Sequence, residues 1–160
     1  MSASDAALKI IRNAEGLKLT PYKDAGLLAI GYGHRLKNKK IKKITPAHAE
    51  NLLKSDVGEV EKRIRPLLSK SRIRQHQYDA LVSFTYNVGP DKAKNVIKYA
   101  SEGKHDKVKS EMNRFVHSEG KKLGGLVNRR KSETDLYTAP NKVLEKAVLR
   151  KKVLGASTKS

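Results

Sequence analysis

Apolar residues recur along this chain with two different periods. Between residues 4 and 14, Ala7, Leu8 and Ile11 fall on one side of a helix. Ser4 stands where an N-cap belongs, Asp5 where the helix dipole favours an anion, and Gly16 just past the end. Over residues 17–36 the helical period is lost. Pro21, Gly26, Gly31 and Gly33 break it, whereas Tyr22, Leu27, Leu28, Ile30 and Tyr32 favour strands, with residues 23–26 as the turn. A β-hairpin or small antiparallel sheet is expected there. After Thr45 every segment reads helical. Thr45-Pro46 forms a cap with proline in the first turn, and Leu52, Leu53, Val57, Val60 and Ile64 carry a stripe as far as Pro66. A very apolar helix is expected over 73–88, stopping at Gly89-Pro90, with shorter ones over 92–101, 105–116 and 123–137.

The pattern predicts an α+β fold: a sheet-bearing lobe near the N-terminus, a larger helical lobe, and a cleft between them. The 160 residues suit a single domain. Its expected parts are the sheet lobe with a connecting helix over about 15–65, the helical lobe over 66–139 and a basic tail over 140–160. In that tail Val143, Leu144, Ala147, Val148 and Leu149 sit at helical spacing, with Lys142, Lys146, Arg150 and Lys151 mostly elsewhere on the wheel. It reads either as a terminal helix docked on the helical lobe or as an amphipathic segment that meets an anionic membrane.

Composition narrows the chemistry. Zero cysteines exclude a disulfide framework, a Cys-ligated metal and thiol catalysis. The five histidines show no paired ligand spacing and no phosphate-cradling glycine loop is present, so no metal or cofactor is expected. No apolar run approaches the roughly 18 residues of a membrane span. Asp5, Lys9 and Arg12 interrupt the N-terminal apolar residues, so no signal peptide is expected. The formal charge of +19 far exceeds what solubility requires and directs the protein toward polyanions: nucleic acid, an acidic membrane or an anionic cell wall. Six of the nine residues from 35 to 43 are basic, a solvated loop or a substrate-facing patch. An aromatic content of 5% and the lack of a recognised motif disfavour nucleic acid.

Glu15, ending the first helix, and Asp24, at the hairpin turn, are the leading candidates for catalysis. The chain folds back between them, so both carboxylates could face one groove. Two carboxyl groups across a groove are what glycosidic cleavage requires: one donates a proton to the leaving oxygen, the other stays ionised. On its own this pairing is weak, since a helix-ending Glu and a turn Asp are common.

The surrounding residues add to it. Residues 15–34, EGLKLTPYKDAGLLAIGYGH, resemble the catalytic segment of the phage-type lysozymes, the glycoside hydrolases of the T4 and lambdoid phage kind. The resemblance continues in ITPAHAENLLKSDV at 44–57, QYDALVSFTYNVG at 77–89 and GKKLGGLVNRRKSE at 120–133. It implies a lysozyme-like fold and cleavage of the β-1,4 bond between N-acetylmuramic acid and N-acetylglucosamine in peptidoglycan. It further implies a monomer that lyses the host as an endolysin, made in the cytoplasm and released to the wall through a holin-type pore. Glu15 matches the family's general acid and Asp24 the carboxylate that stabilises developing positive charge and holds or replaces the attacking water. His34 matches a histidine that supports the lobe. Tyr86 falls on the cleft side, and Arg35 is placed to meet a sugar or a peptide-stem carboxylate; both are candidate substrate-binding residues.

One departure stands out. The family sets a Thr before the Ile-Gly pair, whereas here Ala29 precedes Ile30-Gly31 and the hairpin is one residue shorter. Either another group, such as Thr20 or a backbone carbonyl, then holds the water, or the enzyme is slow. A protein that binds glycan without turnover remains the alternative reading, and the stereochemical outcome stays open with a lean to inversion.

Overall fold

The computed structural model describes residues 1–118 and 120–140, so the tail over 141–160 lies outside the described residues. Helix α1 spans Asp5–Glu15 and is followed by an antiparallel sheet of β1 (Lys18–Asp24), β2 (Leu27–Gly31) and β3 (His34–Arg35), in that order. Then come α2 (Pro46–Leu68), α3 (Gln75–Val88), α4 (Lys94–Ser101), α5 (His105–Met112), a short hairpin of β4 (His117–Ser118) and β5 (Lys121–Lys122), and α6 (Gly124–Thr138).

Hairpin β1–β2 turns on two residues only. Asp24 pairs with Leu27, leaving Ala25 and Gly26 at φ 52° and 79°. Positive φ at both central positions is the type I′ geometry, whose twist matches that of the strands. Asp24 is thus the last residue of β1 rather than part of a four-residue turn. Farther down, Lys18 pairs with Gly31 and Tyr22 with Ala29, so three residues of β1 stand against one of β2. Pro21 lies in that irregular stretch, where a missing N–H costs the ladder nothing.

Two apolar clusters build the molecule. The smaller joins Ile30, Ile44 and Ala49, with Leu19, Leu36 and Leu52 at its edge. The larger gathers Ala7 and Ile11 of α1, Leu53, Val57, Ile64 and Leu68 of α2, and most of α3. Helix α2 serves both, and Tyr32 packs against both. Thr45 Oγ1 caps α2 by accepting from the His48 amide at 3.1 Å. The helix continues two residues past Pro66. A proline this close to the end forfeits one backbone bond, and burial of Ile64 and Leu68 holds the last turn. Helix α3 is buried without a break from Tyr78 to Thr85, as a helix surrounded on all sides must be.

Three sequence expectations are corrected. Ser4 precedes α1 but makes no side-chain cap; its hydroxyl and its amide both donate to the buried Asp79 instead. Helix α5 stops at Met112, not 116, and the chain turns so that Phe115 meets Phe84 edge-on, ring centroids 5.3 Å apart. The β4–β5 hairpin breaks what reads in sequence as an all-helical second part.

Two outcomes follow from this packing. Ala25 occupies the left-handed region, which costs a residue with a Cβ about 1–2 kcal/mol; Ala25→Asn, the residue this turn favours, should raise stability by roughly 0.5–1 kcal/mol in urea denaturation. Arg12 of α1 grips the Glu50 carboxylate of α2, holding it below its ordinary range chiefly through that hydrogen bond. A depressed carboxylate stabilises the fold above its unfolded value of 4.5 and ceases to as pH falls through the folded value. Glu50→Gln should therefore cost up to about 1 kcal/mol at pH 7 and nothing near pH 2, read from paired thermal melts.

Candidate functional site

A cleft of about 930 Å³ runs between the sheet and the helices, lined by Glu15, Asp24, Arg35, Tyr86 and Arg129 among others. All four candidate residues from the sequence thus meet in one place. Each arrives from a different element: Glu15 closes α1, Asp24 closes β1, Arg35 closes β3, and Tyr86 lies in the last turn of α3.

Glu15 is held from two sides. Its Oε1 accepts from Arg129 Nη1 at 2.7 Å. Its other oxygen, Oε2, faces Gly33, where a Cβ would approach to 2.9 Å. Gly33 also sits at φ 82°, an angle that favours glycine, and a Cβ there would make the Glu15 carboxylate shift.

Arg129 is itself fixed from behind. Its Nε lies 3.2 Å from Glu133 Oε2 and its Nη2 donates to the Ser83 carbonyl at 3.0 Å. The Ser83 hydroxyl donates to Glu133. Arg130 stacks over Phe84 at 4.8 Å and donates to Asn87. Arg130 Nη1 is 2.8 Å from Glu133 Oε1, an ion pair whose angle is too bent for a hydrogen bond. Burial pulls the Arg130 guanidinium down to about 10, opposed by Glu133 and reinforced by Arg129. Burial pushes the Glu133 carboxyl up, against the pull of both arginines.

Asp24 is half-exposed and paired with Arg35, whose Nη2 lies 3.1 Å from Oδ2 while Nη1 donates to the Asp24 carbonyl at 2.9 Å. Tyr22, two residues before Asp24, senses both acids: burial, then Glu15 and Asp24, push its phenol up, while Arg35 and the Gly33 backbone pull it down. Ala29 is fully buried and Thr20 is not among the cleft-lining residues. Tyr86 donates its hydroxyl to the Tyr32 carbonyl, tying α3 to the turn between β2 and β3. Burial, then Asp56 and Glu15, hold that phenol well above its usual range. His34 Nδ1 meets Asp56 Oδ2 of α2 at 2.8 Å, the supporting contact expected of it.

Sequence reasoning assigned no role to Arg129, Gly33, Tyr22 or Asp56. Arg129 had a signal: Arg129, Arg130 and Glu133 share one face of α6, a helix with no apolar stripe. Charges on the buried face of a helix must find partners inside. Among the described residues no group of three metal-ligating side chains is clustered.

Residues 12–133 match the family model described as phage lysozyme. The chain is 36% identical over 145 residues to an endolysin of Bacillus phage PZA, covering 87% of this chain and 56% of the relative. It is 36% identical over 143 residues to an endolysin of Bacillus phage B103, covering 86% of this chain and 54% of that one. The chain therefore spans about half the length of these two curated relatives. In solved structures, an endolysin from Escherichia coli O157:H7 phage FAHEc1 superposes with a TM-score of 0.75 at 34% identity, covering 87% of this chain and 94% of the other. The muramidase domain of SpmX from Asticaccaulis excentricus gives 0.77 at 28%, covering 87% and 99%. The matched span contains the cleft, its two candidate acids and the arginine network behind them, and the chain belongs to the phage lysozyme family.

Proposed function

We propose that the protein hydrolyses the β-1,4 bond between N-acetylmuramic acid and N-acetylglucosamine in peptidoglycan, with Glu15 as general acid and Asp24 as its ionised partner. One observation carries this reading: both carboxylates line a single cleft, each held by its own arginine. A glycan strand lying in the cleft would present its linkage oxygen to Glu15. Proton transfer lets the bond break while positive charge develops on the sugar ring. Asp24 stabilises that charge and holds the water that completes hydrolysis. Arg35 and Tyr86 form part of the groove wall.

The excess of positive charge supports a wall-directed role. The loop over 37–43 is exposed throughout and contributes five lysines, with Lys37 on the cleft itself. Peptidoglycan and its attached polymers are anionic, so encounter is steered. We further infer that the protein acts on the host wall, in keeping with the endolysin names of its relatives, and that it reaches the wall through a holin-type pore.

Clearing of purified peptidoglycan tests the reading. Glu15→Gln should reduce turnover by about 10²–10⁴-fold while the variant still sediments with the wall. Equal clearing by variant and wild type would remove Glu15 from the mechanism. Sedimentation without clearing by the wild type would establish the binder instead. Gly33→Ala should lower turnover at least as far as it lowers stability, about 1–3 kcal/mol by thermal melt, because the new methyl displaces the Glu15 carboxylate. Wall association should weaken as salt rises from 50 to 500 mM (roughly 14 to 4 Å of screening length).

A further inference from the structure

Asp24 stands at an awkward place for a group that must hold its aim. It is the last residue of β1, next to a two-residue turn, with a side chain 48% exposed. Staggered wells are open to such a side chain, and Asp24 belongs to neither apolar cluster. Among the described residues, the protein side chain within ion-pair distance of its carboxylate is Arg35. That residue comes from β3, which is separated from β1 by the whole of β2.

The sheet register explains how the arginine reaches. Tyr22, Ala29 and Arg35 are successive cross-strand partners, so they share one face of the sheet. Asp24 lies two residues beyond Tyr22 and therefore on the same face. To bridge β3 and β1, Arg35 must cross two strand spacings of about 4.8 Å each. Asp24 itself pairs with Leu27, so the guanidinium crosses β2 diagonally, from the Ala29 position toward the Leu27 position. Ala29, fully buried, is the smaller of those two side chains.

We propose that Arg35 is a positioning residue for Asp24. Its two terminal nitrogens hold both the Oδ2 atom and the carbonyl of the same residue, fixing side chain and backbone together at the end of the hairpin. A guanidinium is suited to this because its donors diverge in a rigid fork, whereas an ammonium makes point contacts. The grip leaves Oδ1 as the Asp24 oxygen available to the sugar and its water. The inference rests on the proposed hydrolysis and assigns Arg35 a duty toward the enzyme's own carboxylate, distinct from contact with the glycan.

The test is a kinetic series on soluble peptidoglycan fragments: wild type, Arg35→Ala, Arg35→Lys, Asp24→Asn and the double variant Arg35→Ala/Asp24→Asn. Arg35 is half-exposed, so its replacement leaves both apolar clusters intact. Arg35→Ala should lower kcat by about 10- to 100-fold with KM changed less than about threefold. Arg35→Lys should recover part of the loss. The double variant should be no slower than Asp24→Asn, since a residue acting through Asp24 has nothing left to position. A rise in KM with unchanged kcat, or losses that multiply in the double variant, would overturn the proposal.

A second measurement separates this idea from the activity itself. Scalar couplings of the Asp24 side chain by NMR should report one χ1 rotamer in the wild type and an average in Arg35→Ala. Averaging already present in the wild type would refute the clamp even if the enzyme is active. A single rotamer lost on substitution, in a protein that clears no wall, would uphold the clamp while the hydrolytic reading fails.

Discussion

The contact on which the cleft depends is the one between Arg129 and Glu15. A guanidinium whose side chain is 3% exposed needs an anionic partner in the interior. Arg129 finds it in Glu133 on its own helix, and its Nη1 is left to donate to Glu15 at the end of α1. That bond joins the end of α1 to a residue 114 positions away in sequence. The carboxyl group proposed as the proton donor thus also closes the polar network behind the α3–α6 interface. Catalytic geometry and packing are met by the same atoms.

The opposite wall is organised by different forces. The sheet is too small to bury much surface itself, and its apolar side rests on Ile44, Ala49 and Leu52. Tyr32, in contact with both clusters, is the joint, and its carbonyl takes the Tyr86 hydroxyl. His34 and Asp56 add a second tie between sheet and α2. The cleft is thereby bounded by one wall set by buried charge and another set by hydrogen bonds bridging two modest hydrophobic cores.

Much of this was legible in the chain. The change of period after Gly16, the glycines of the hairpin and the stripe of α2 located the elements, because periodicity reports directly which side of a segment is buried. Glu15 and Asp24 were visible as acids bordering a fold-back. The β4–β5 hairpin was not: two-residue strands carry no periodicity, and the nearby Phe115–Phe84 contact joins residues distant in sequence. Ser4 looked like a cap because local sequence cannot show a buried Asp79 competing for its hydroxyl. Arg129 and Gly33 escaped for a related reason: each matters through a partner distant in sequence.

The two-residue turn beside Asp24 imposes a parity rule on how this hairpin can change. Side chains alternate across a sheet, so a single inserted residue in β1 would swing the acid to the reverse surface. The irregular stretch around Pro21 carries two surplus residues rather than one, and an even surplus leaves the alternation intact. Length variation in β1 ahead of Asp24 should therefore come in pairs, whereas the one-residue shortening of the hairpin falls beyond the acid and leaves its face unchanged.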